Sequence, residues 1–151
     1  MHGVLKQPLY AFMIFEIKPL ESVGKVKFGM SKNETNILLG LPNSINENVH
    51  YYFNNCLQIH FEHDLVSFIE IANSSELKVN LMDLNIFEMT VENLIPEINN
   101  FYELDHTDPE KGYSYIFPKI EVSFWRSVIQ ENGSYFESIG IGKQGYYSEV
   151  I

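Results

Sequence analysis

Apolar and polar positions alternate most clearly in two stretches. Leu57, Ile59 and Phe61 alternate with Gln58, His60 and Glu62, and Ile120, Val122 and Phe124 alternate with Glu121, Ser123 and Trp125, at an offset of 63. A period of two is the signature of a strand with one buried face. Each stretch sits inside a similar run of elements. In the first, a strand His50–Phe53 turns at Asn54-Asn55 into a strand from Leu57 to His63, which turns near Asp64 into a strand Val66–Ala72. Asparagine suits such a hairpin because it tolerates positive φ. In the second, Tyr113–Phe117 turns at Pro118-Lys119 into Ile120–Arg126 and returns as Phe136–Gly142.

A helix start precedes each run. Phe28-Gly29-Met30-Ser31-Lys32-Asn33-Glu34 reappears as Phe87-Glu88-Met89-Thr90-Val91-Glu92-Asn93, 59 residues on. Ser31 with Glu34 reads as a capping box, and Thr90 with Asn93 as a weaker copy, so the two hydroxyls are expected to cap equivalent helices. The first helix carries Ile37, Leu38 and Leu39 and stops at Gly40 before Pro42. The second carries Val91, Leu94, Ile95 and Ile98, and Pro96 makes it either kinked or short. A strand opens each unit, from Phe12 to Ile17 and from Leu77 to Leu81. The expected fold is α+β in one domain, residues 1–151. Two tandem helix-plus-antiparallel-sheet units, about 12–73 and about 74–142, form one sheet with the helices packed on one face. Residues 143–151 read as a tail or a last edge strand.

If the matched apolar sets pack under the helices, the alternation names the other face. Gln58, His60, Glu62, Phe68, Glu70, Glu121 and Trp125 would point outward, with Tyr52 and Tyr115 beside them. Aromatics among carboxylates suit a protein-binding surface. The same face could instead lie under a terminal segment or loop, which would make Trp125 ordinary core. Gly140-Ile141-Gly142 reads as glycine allowing close approach over the sheet.

Composition narrows the function. Twenty acidic against ten basic residues give a net charge of −10. That field disfavours nucleic acid and anionic membranes and would steer a basic protein partner, or it serves solubility alone. The single Cys56 excludes an internal disulfide framework and a thiolate metal cluster. The apolar run Leu9–Phe15 is too short to span a bilayer and lacks signal-peptide flanks, and Met13 is placed to be a true start.

No nucleophile elbow, Gly-rich phosphate loop or flanked cysteine is present. His60-Phe61-Glu62-His63-Asp64 gathers metal-capable side chains, but a strand sends them to opposite faces. Asp105-His106-Thr107-Asp108 with Glu110 lacks calcium-loop spacing. No catalytic residue, metal or cofactor is assigned.

The motif Val26-Lys27-Phe28-Gly29-Met30-Ser31, with Leu38-Leu39-Gly40-Leu41-Pro42 and the hairpin after it, resembles a recurring helix-hairpin unit. Small outer-membrane-assembly lipoproteins use that unit once, and proteins of the β-lactamase-inhibitor type use it twice, presenting a concave sheet to an enzyme. The opening is also similar to small bacterial immunity proteins of polymorphic toxin systems. The chain departs from the secreted members in lacking a lipobox cysteine and their disulfides. The resemblance implies a non-catalytic, cytoplasmic protein, monomer or dimer, that binds and neutralises a cognate toxin such as a basic nuclease domain. The competing expectation is a small hydrolase or ligand-binding domain that uses His60, Glu62 and Trp125.

Overall fold

The alternating segments become the strands of two sheets, not one. The structure, a computed structural model, describes residues 13–107, 112–129 and 133–147; the expected strand start at Phe12 lies outside them. The first unit runs β1 (Met13–Lys18), β2 (Ser22–Val23), β3 (Val26–Lys27), α1 (Lys32–Leu39), β4 (Ser44–Asn46), β5 (Val49–Tyr52), β6 (Leu57–Glu62) and β7 (Leu65–Ala72). The second runs β8 (Leu77–Leu81), β9 (Leu84–Asn85), α2 (Val91–Asn99), β10 (Ser114–Phe117), a 3-10 turn (Pro118–Ile120), β11 (Val122–Trp125) and β12 (Ser138–Gly142). The class is α+β, dominated by sheet.

The large sheet has the order β10-β11-β12-β7-β6-β5-β4 and the small one β3-β2-β1-β8-β9. Both contain strands of both units. The closing strands β7 and β12 pair antiparallel, with Ile69 opposite Ile141 and Ile71 opposite Ile139. The opening strands β1 and β8 pair in parallel, with Phe15 opposite Val79. A parallel pair needs a long crossover, and the whole first unit supplies it. This pair is why the single expected sheet is two. Strand alternation says which side chains of β1 are buried but not which sheet the strand joins.

One apolar cluster joins the layers. It includes Phe15, Ile17 and Val79 from the small sheet, Ile59, Ile71, Phe124 and Ile139 from the large one, and Leu94 and Ile98 from α2. The tight turns rely on residues that accept positive φ, including Asn54 and Asn55 after β5 and His63-Asp64 after β6. His63 is thus a turn residue and not a strand residue. Cys56 sits in the β5–β6 turn, half-buried against the core.

The two helices share a motif but not an environment. At α1 the Ser31 hydroxyl accepts from Glu34 N–H (3.1 Å) and the Glu34 carboxylate accepts from Ser31 N–H (3.0 Å). The Ser31 backbone N–H, with the Ser31 hydroxyl beside it, also holds the Glu34 carboxyl below its usual range. Thr90 occupies the same position before α2, but its side chain makes no capping bond. The first turn of α2 is met instead by tertiary contacts: Val91 N–H donates to Ser134 O (2.9 Å). Burial differs as sharply. α2 buries Val91, Leu94, Ile95 and Ile98, whereas α1 buries only Thr35 and leaves Ile37 78% exposed.

An eight-residue helix with little burial leans on its caps. Ser31→Ala is expected to lower the unfolding free energy by about 1 kcal/mol, while Thr90→Ala stays within about 0.5 kcal/mol of wild type. Denaturant titration of both variants measures the difference, and equal losses would contradict the unequal capping.

Candidate functional site

The register of the large sheet sorts the expected site residues onto two faces. Gln58, His60 and Glu62 on β6, Phe68 and Glu70 on β7, and Ser123 and Trp125 on β11 lie on the side opposite buried Ile59, Ile69 and Phe124. A bulge places Phe68 there: His60 pairs with Phe68 but Phe61 with Val66, so Ser67 is the extra residue. Tyr52 and Tyr115 are not on this face. Tyr52 pairs with Leu57 and Tyr115 with Phe124, and cross-strand partners share a face, so both point inward. Tyr52 is 3% exposed, and its hydroxyl donates to Asn36 Oδ1 of α1 (3.2 Å).

Residues 143–147 cross the middle of the outer face and cover part of it. The Tyr146 ring stacks on Phe68 (centroids 4.5 Å apart), and the Tyr147 hydroxyl bonds the Ser123 hydroxyl (2.5 Å). Two glycines make room. A Cβ on Gly140 would lie 2.6 Å from Phe68 Cζ, and one on Gly142 2.5 Å from Tyr146 Cβ. Residues 143–147 are therefore a strap, not an edge strand. Glu121, expected among the outward contact residues, holds it. After the 3-10 turn this residue adopts φ 54° and is only 4% exposed. Its carboxylate accepts from the N–H groups of Gly145 (2.5 Å) and Tyr147 (2.9 Å). Glu62 is also engaged, bonded to Lys143 Nζ at 2.8 Å.

His60, Glu62 and Trp125 do not converge. β6 and β11 stand three strand spacings apart, roughly 14 Å. Among the described residues no group of three His, Cys, Asp or Glu side chains comes together to hold a metal ion. Asp105 ties down its own loop, its carboxylate accepting from Thr107 N–H (2.9 Å) and hydroxyl (2.7 Å). Asp108 and Glu110 lie outside the described residues. No described helix is long and apolar enough to cross a membrane.

What stays open is the Trp125 end of the face. Trp125 is 41% exposed, and Tyr113, Val128, Ile129 and Tyr135 are 44–56% exposed at the same end. Strand alternation missed these four because they lie in or beside loops. Their signal was apolar residues in segments that composition makes polar. Buried Arg126 supports this end from beneath. Its Nε donates to Gly112 O (2.7 Å), one terminal nitrogen to the Tyr115 hydroxyl (3.2 Å) and the other to the Ser134 hydroxyl, with Glu92 4.0 Å away. Glu137 pins the next loop by accepting from Ser127 N–H and hydroxyl, both at 2.6 Å, which lowers its pKa. The charge is uneven along the chain: residues 84–151 hold 11 acidic and 4 basic side chains, and residues 1–83 hold 9 and 6.

Two histidines, His50 buried and His60 half-buried, each have one ring nitrogen without a hydrogen-bond partner. His50 is 4% exposed beneath α1, its ring 4.7 Å from Phe61 and its Nδ1 unbonded. His60 lies edge-on to Phe68 at 5.1 Å with Nε2 unbonded. Burial lowers both pKa values below the ordinary 6.5, and nearby Lys32 adds to the effect at His50.

Compared with known proteins, the chain matches no family model, no curated protein and no solved structure.

Removing Arg126 strands Gly112 O and the Ser134 and Tyr115 hydroxyls. Arg126→Ala is expected to cost about 3 kcal/mol in chemical denaturation, and Arg126→Lys to recover little because an ammonium lacks the fork of donors. The histidines set a pH dependence. Their folded pKa values are depressed, so the stability they permit is complete above about pH 6.5 and falls as the unfolded chain takes up protons below it. Unfolding free energy measured between pH 7.5 and about 5 should drop, by at most about 1.4 kcal/mol per pH unit for each histidine. His60→Phe should flatten the slope.

Proposed function

We propose that this chain is a non-catalytic binding protein, a bacterial immunity protein that acts in the cytoplasm by covering a basic toxin domain. The observation that carries the reading is the exposed apolar group around Trp125, set in the more acidic part of the chain. Large aromatics and aliphatics left exposed at one end of a sheet suit a binding surface. Trp and Tyr supply contact area at low entropic cost, and carboxylates such as Glu92 and Glu137 would steer Lys and Arg of a partner. Arg126 fixes Gly112, Tyr115 and Ser134 beneath the group, so less affinity is lost to ordering them on binding. In this reading both helices back the large sheet from its buried face, α1 over Tyr52 and Phe61 and α2 beside Arg126.

The test is survival. Cells making the toxin domain encoded beside this chain should grow when the full chain is co-expressed. Trp125→Ala is expected to weaken binding by roughly thirtyfold or more, as loss of an interface anchor does, and to abolish protection. Gln58→Ala on the same sheet should protect like wild type. Undiminished protection by Trp125→Ala would move the surface elsewhere, and no protection by wild type would sink the immunity reading.

A further inference from the structure

From Thr35 to Asn46 the chain carries no charged side chain, in a molecule with net charge −10. Within that stretch Ile37, Leu41 and Ile45 are 78%, 83% and 59% exposed. The duplicated pattern does not demand this, because α2 buries its own apolar residues. The stretch ends on β4, the outermost strand of the large sheet. At the opposite edge Asp105 N–H donates to Ile116 O of β10 (2.8 Å), so that margin is partly occupied. Among the described residues nothing pairs with the outer side of β4. Ser44-Ile45-Asn46 also lacks the lysine, proline or charge that usually blunts a free edge.

We propose that this face is a self-association surface, occupied by a second copy of the same chain with the two β4 strands antiparallel about a twofold axis. Such an edge is its own complement, since one strand supplies both sides of the ladder. Centred on Ile45, the register sets Ser44 against Asn46 of the second copy, and Glu47 turns away after the strand with φ 55°. No like charges therefore meet across the pair. Ile37 and Leu41, exposed in the same uncharged stretch, supply apolar area. Charge selects the occupant. Two copies at −10 repel through their carboxylates, and this uncharged strip is where they can approach at least cost. A basic partner is drawn to residues 84–151 instead. Trp125 lies near the other end of the sheet, so a dimer built this way leaves it free in both copies. The inference stands independently of the toxin reading.

Analytical ultracentrifugation of the full chain tests it. Wild type, 17.5 kDa as a monomer, should sediment at about twice that mass at roughly 100 µM and dissociate on dilution, the behaviour of a micromolar dimer. Ile45→Lys and Leu41→Lys, each judged folded by an unchanged melting curve, should both weaken the dimer at least about tenfold. Leu41→Lys sits between helix and strand, so it reads the surface even if Ile45→Lys disturbs the ladder. Trp125→Ala should dimerise like wild type. A monomeric wild type, a dimer untouched by both lysines, or one dissolved by Trp125→Ala would each overturn the proposal.

Discussion

The antiparallel pairing of β7 with β12 is the constraint on which the outer surface depends. It joins the last strand of each unit, so two short sheets become one of seven strands with Glu70 opposite Gly140 at the seam. The pairing register decides what stands beside what. It sets Phe68 opposite Gly142 and brings bare backbone at Gly140 under the Phe68 ring. A shift of one residue would send Ile139 and Ile141 to solvent and close the groove that the strap uses.

Given that seam, the centre of the outer face is closed and its margins are open. The strap, held by Glu121 and stacked on Phe68, buries the Tyr147 hydroxyl enough to push its pKa up. Glu70 beside it is raised for the same reason. Ion pairs do little here. Lys143–Glu62 is exposed at both ends, so the strap rests on backbone donors and ring contact. Exposed apolar side chains remain at the Trp125 end, with carboxylates nearby, and at the β4 edge, without them.

The repeated pattern accounts for the strands better than for the surface. The hairpins of the two units carry matched inward residues, as a shared packing scaffold requires. The helices have diverged: α1 is capped by its own side chains and lies shallow, while α2 is tied in by its apolar face and by the loop at Ser134. Divergence at equal positions frees one unit to present a surface while the other completes the core.

Periodicity and capping chemistry were legible in the sequence because both are local. Leu57, Ile59 and Phe61 and their counterparts are buried as alternation requires, Ser31 and Glu34 form their box, and Gly140 and Gly142 mark a close approach. The faces of Tyr52 and Tyr115, and the covering of Glu121, were not legible. Hairpin register places the two tyrosines, and the strap that bonds the Glu121 carboxylate buries it on the outer face. The parallel β1·β8 pair and the strap over Phe68 were decided by tertiary structure alone. A strand's pattern records that one side meets apolar matter, whereas its neighbour is chosen by the burial of residues far away in the chain.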